Sequence, residues 1–143
     1  MSDNPFASYQ IEVPRKYGDQ IKSYCKTGGS GVTFEFAPFD RQVDFWYFSL
    51  LYAVKKGLSP EKETDTSNIT FGTILNEDSY RISHILLIFL GNFKSIEELA
   101  DYRKVFNYAN SMANAGIPYI LQILGDEDDR PLWALLEEIE GTE

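Results

Sequence analysis

Period-two and period-3.6 hydrophobic patterns alternate along this chain, and each switch marks an element. Near the N-terminus, Tyr9, Ile11 and Val13 alternate with Gln10 and Glu12, which predicts a short half-buried strand. Pro14 sits where a first helical turn tolerates proline, and Arg15 to Lys26 read as a modest helix with Tyr17, Ile21, Tyr24 and Cys25 on one side. The glycine-rich Thr27 to Gly31 breaks it. Val32, Phe34 and Phe36 then alternate with polar or small residues, suggesting a second short extended segment. The densest stretch runs from Phe39 to Leu58, where Phe45, Trp46, Tyr47 and Phe48 are consecutive and Leu50, Leu51, Tyr52, Ala53 and Val54 follow. At 3.6 residues per turn these leave almost no polar stripe, so a helix here is surrounded by protein. Asp40 is its expected cap, and Lys55-Lys56-Gly57 its expected end, with two cations at the negative pole of the helix dipole.

The polar run Ser59 to Asn68 predicts a flexible loop, and Ile69 to Leu75 a segment that docks back as a short strand or irregular piece. A helix capped by Asn76 or Asp78 is expected through Leu90, ending at Gly91-Asn92. Ser95-Ile-Glu-Glu98 matches a capping box and predicts the start of a long amphipathic helix, with Ile96, Leu99, Tyr102, Phe106, Ala109 and Ala113 inward and Gly116 as its end. Ile117 to Leu124 then reads as a separate short helix with Pro118 in its first turn. Pro131 opens a last helix with Leu132, Leu135, Leu136 and Ile139 on one face. The sum is a mainly α fold: one compact domain of about five or six helices with one or two short N-terminal strands. Residues 1–8 are expected to be flexible, 9–140 to form the domain and 141–143 a tail.

A chain of 143 residues with 10 Phe, 9 Tyr and 2 Trp has ample material for a core. The single Cys25 excludes an internal disulfide, and the absence of a signal-peptide pattern or a long apolar run predicts a cytoplasmic protein with no membrane contact. The net charge is −9, unevenly placed: residues 1–60 carry seven basic and six acidic side chains, and 61–143 six basic and sixteen acidic. A broad DNA-binding surface on the second half is therefore disfavoured, because each phosphate contact needs a cation.

Candidate chemistry is sparse. His84 is the only histidine and lacks ligand or base spacing around it, so it reads as a satisfied interior or interfacial residue. Cys25, near a helix C-terminus, is not placed to be a thiolate. Gly28-Gly-Ser-Gly31 lacks the Gly-Lys-Ser/Thr ending of a phosphate loop, and Asp126-Glu127-Asp128-Asp129 lacks calcium-loop spacing. No cofactor, metal or catalytic residue is expected, and the chain reads as a non-enzyme. The residues best suited to protein contact are Trp46, Tyr47, Tyr52 and the acidic Asp126, Glu127, Asp128 and Asp129. An alternative is a ribbon-helix-helix-like DNA-binding regulator, in which Gln10 faces bases and Arg15, Lys16 and Lys22 lie near phosphates. Its strand would pair across a homodimer.

Three stretches together resemble the Dnd system-associated protein 4 family: Val13-Pro-Arg-Lys-Tyr17, the aromatic run Phe45 to Gly57 ending in Lys-Lys-Gly, and Phe106-Asn-Tyr-Ala-Asn110 before an Ala-Gly-Ile segment. Members of that family are encoded beside genes for DNA phosphorothioate modification and its linked restriction machinery. The resemblance implies an accessory or adaptor protein of a bacterial DNA-modification or phage-defence system, with modification or restriction subunits as partners. It implies no catalytic residue that transfers to this chain.

Overall fold

The structure, a computed structural model, describes residues 4–26, 37–125 and 131–140. β1 (Gln10–Pro14) passes through a 3-10 turn into the short α1 (Gly18–Ser23). α2 (Gln42–Lys55), β2 (Thr66–Phe71), α3 (Tyr80–Phe93), α4 (Tyr102–Leu124) and α5 (Pro131–Glu140) follow. The architecture is mainly helical with a two-stranded antiparallel sheet, as the hydrophobic pattern predicts. A single apolar cluster runs from Phe6 through α2 and α4 to Leu135.

β1 alternates as expected: Ile11 and Val13 are buried and Gln10 is exposed. Its partner is β2, in a register that sets Gln10 against Phe71 and Pro14 against Thr66, with a bulge between Ile11 and Glu12. Thr66, Ser67 and Asn68 thus belong to a strand rather than to the preceding loop, while the extended segment expected at Val32 to Phe36 lies outside the described residues. The loop itself is tied down. The Glu61 N–H donates to the Ser111 carbonyl at 2.9 Å, and the Asn114 amide donates to the Glu61 carbonyl at 3.1 Å. The first helix is shorter than its pattern. The Arg15 N–H is taken by the Asp65 carbonyl, and beyond Tyr24 the backbone bridges to Phe39 instead of continuing to coil.

α2 is the spine. Phe45, Trp46, Leu50 and Ala53 are fully buried, and even Ser49 is inside, its hydroxyl donating to the Phe45 carbonyl. Asp40 does not cap this helix; Arg41 holds the N-cap position, and the Asp44 carboxylate accepts the Arg41 N–H at 3.1 Å. The predicted end holds. Gly57 takes φ +67°, and the Leu58 N–H reaches back to the Ala53 carbonyl, the left-handed glycine closure that satisfies the last carbonyls.

α4 departs most from expectation. It runs unbroken for 23 residues through both Gly116 and Pro118, and it starts at an Asp101 cap whose carboxylate accepts the Lys104 N–H. Ser95 serves only a 3-10 turn at Glu97–Ala100. Gly116 is needed because α2 crosses there, and a side chain would strike the Ser49 carbonyl. Pro118 forfeits one intrahelical bond to Asn114, a local loss that the packed helix absorbs. α5 docks on α4 through Pro131, Ala134 and Leu135, leaving Leu136 and Ile139 more than a third exposed, so its buried face is narrower than the expected one.

Candidate functional site

The first turns of α2 and α3 are joined by a compact charged node. Asp44 accepts from Arg41 Nη2 at 2.8 Å and from Arg81 Nη1 at 3.0 Å, and Arg41 Nη2 also reaches Asp78 at 2.7 Å. Both partnerships use i, i+3 spacing, Arg41/Asp44 across the start of α2 and Asp78/Arg81 across the start of α3. Arg81 is only 9% exposed, and its guanidinium lies 4.3 Å from the Tyr47 ring centroid, a cation–π contact. Burial alone would raise the Asp44 carboxyl, but hydrogen bonds from Arg41 and Arg81 outweigh it and hold Asp44 below the usual carboxylate range.

Next to this node, the Tyr47 hydroxyl is hydrogen-bonded to His84 Nδ1 and the two rings are stacked. Burial pushes the Tyr47 phenol up, so it keeps its proton at neutral pH. His84 itself is exposed on α3, so of the interior and interfacial positions expected for it the interior one is excluded.

Beyond the Tyr47–His84 contact, α2 and α3 flank an apolar groove of about 490 Å³. Val54, Gly57 and Leu58 form one wall, Leu87, Ile88, Gly91 and Asn92 the other, with Tyr108 and Met112 of α4 also lining it. Leu87 is 63% exposed, Val54 40% and Leu51 37%. The spine helix is therefore not enclosed all round: Leu51 and Val54 reach solvent, Val54 at this groove.

The residues expected to meet a partner sit elsewhere. Trp46 is fully buried and presents no surface; its indole N–H donates to Asn110 Oδ1 at 3.0 Å and its ring stacks on Phe106. Tyr47 is nearly buried against Arg81 and His84. Tyr52 is half-buried beside Tyr119 and lines a separate shallow cleft with Glu137 and Glu138. Asp126, Glu127, Asp128 and Asp129, like Gly28 to Gly31, lie outside the described residues.

The strand-based DNA interface meets a geometric obstacle. One edge of β1 is taken by β2 of the same chain. On the other edge Asn110 behaves as a substitute strand: its Oδ1 accepts the Glu12 N–H at 3.1 Å and its amide donates to the Gln10 carbonyl at 3.2 Å. A ribbon shared between subunits, as a ribbon-helix-helix dimer requires, has no free β1 edge to use. Gln10 is exposed, but Arg15 pairs with Asp65 at 2.8 Å and Lys16 with Glu63 at 3.9 Å, while Lys22 stands exposed on α1. Cys25 is buried, and burial, with Asp44 adding to it, pushes its thiol up to about 12, opposite to the shift a nucleophile needs. Among the described residues no cluster of three His, Cys, Asp or Glu could hold a metal ion, and no helix is long and apolar enough to cross a membrane.

Comparison with protein-family models, curated proteins and solved structures finds no match to this chain. Pattern reading overlooked Arg81, Asn110 and Leu87. The paired i, i+3 charges at Arg41/Asp44 and Asp78/Arg81 were a usable signal for the node; a helical leucine facing solvent leaves no local signal in an apolar run.

Proposed function

We propose that this chain is a non-enzymatic accessory protein of a DNA-modification or phage-defence system, and that it works by holding a protein partner in the α2–α3 groove. The observation that carries the contact reading is Leu87, 63% exposed, facing Val54 across that groove. Contiguous apolar surface of this kind is costly in water unless a partner covers it. The system is suggested by the family resemblance. Its three stretches meet at Asn110, which bonds to Trp46 from the aromatic run and to β1, the strand that holds Val13 and Pro14. What the stretches share is therefore core architecture, and the partner surface is a separate feature beside it.

The test is affinity capture from the native host with wild-type protein and Leu87→Glu. Wild type should retain subunits of modification or restriction machinery, and Leu87→Glu should lose them while melting at the same temperature. Failure to retain any such subunit, or equal retention by Leu87→Glu, would overturn the proposal.

A further inference from the structure

Resting on the contact reading above, we infer that the groove's occupant is an amphipathic helix with carboxylates along its polar flanks. Two features select that chemistry. The first is shape. The groove is walled by Val54 to Leu58 on one side and by Leu87 to Asn92 on the other, roughly 8 Å along α3 at the helical rise. Apolar projections one turn apart, at i and i+3 or i+4, match such a trough. Gly91 leaves a seat in the wall, since a Cβ there would meet no atom within 4 Å.

The second feature is charge. Lys55 stands one helical turn beyond Leu51, on the exposed side of α2, and Lys94 follows two residues after Asn92. Among the described residues neither is ion-paired, whereas Glu138 is engaged by Lys56 and Glu98 by Lys104. Asp44 and Asp78, at the opposite end, are matched by Arg41 and Arg81. The C-termini of α2 and α3 add partial negative charge of about half a unit each, which two whole lysine charges exceed. On a chain of net charge −9 the groove thus has a locally positive rim. A basic helix would meet repulsion here; an acidic one finds partners on the rim and leucine seats between them.

The experiment measures fluorescence anisotropy of three labelled synthetic helical peptides against the full chain. The peptides share one leucine face and differ only in having Glu, Gln or Lys flanks. At low salt the Glu peptide should bind about tenfold more tightly than the Gln peptide, the sum expected of two exposed ion pairs. The Lys peptide should be weakest. In the Lys55→Glu/Lys94→Glu double variant the order should reverse. Gly91→Tyr, which fills the seat without touching the core, should weaken all three while the melting temperature does not fall. Equal binding of the Glu and Gln peptides, tightest binding of the Lys peptide, or no binding of any peptide would each overturn the inference. The host capture with Leu87→Glu tests the contact reading separately, so the two can fail independently.

Discussion

Gly116 of α4 rests directly on the backbone of Ser49 in α2, where a Cβ on the glycine would overlap the Ser49 carbonyl oxygen. The obstacle is main chain, which cannot rotate away. Gly116→Ala should therefore destabilise by at least about 2 kcal/mol in urea denaturation, despite alanine's better helix propensity. Gly91→Ala, on α3 with open space around it, should instead gain about 0.5–1 kcal/mol. If both substitutions shift stability in the same direction, the crossing is not as described.

Asn110 should behave as a stability hub. Its replacement by alanine leaves the Trp46 indole N–H, the Glu12 N–H and the Gln10 carbonyl without their partner. Each such loss costs about 1–3 kcal/mol when the group stays buried, so a total near 3 kcal/mol is expected by chemical denaturation. A double-mutant cycle with Trp46→Phe should return a coupling of about 1 kcal/mol; zero coupling would mean that the indole bond contributes nothing.

The charged node predicts the acid limb of stability. The folded Asp44 carboxyl titrates below its unfolded value, near 3.9, so its contribution is fully present above that value and is lost as pH falls through the folded one. Asp44→Ala leaves the nearly buried Arg81 guanidinium without its main partner and should cost about 3 kcal/mol at pH 7. The wild-type and variant stability curves should approach each other below about pH 4. A constant gap down to pH 2 would count against this role for Asp44.

Cys25 should resist alkylation in the native state and react at once in denaturant, because its thiol is buried and pushed up to about 12. An unfolded thiol ionises near 8.5, so stability should also fall as pH rises through the interval between those values. Rapid native labelling at pH 8 would contradict the burial.

Much of the framework was legible from local pattern. The aromatic run had to be a buried helix, Gly57 had to close it, Pro131 had to open the last helix, and Ile11/Val13 alternation had to be a strand, because each reports a local backbone or burial preference. What escaped depended on neighbours distant in sequence. Gly116 looks like a helix stop until α2 is laid across it, and Pro118 reads as a first-turn residue unless the helix before it is known to continue. Ser95 and Asp101 are both competent caps, and only the docking of α4 chooses between them. Trp46 was expected at a contact face for a similar reason, and it is buried. Trp46 and Leu87 are equally apolar in sequence, yet Asn110 draws Trp46 inward, while Leu87 falls on the side of α3 that α4 does not cover.

The bonds at Asn110 also set an order of events during synthesis. Glu12 and Gln10 reach their partner across 98 and 100 residues of chain. β1 leaves the ribosome well before α4, and its outer edge stays unsatisfied until Asn110 has emerged. Until then β1 is an open template for pairing with another nascent chain. The single side chain that later seals it ends that exposure only once α4 has folded against the strand.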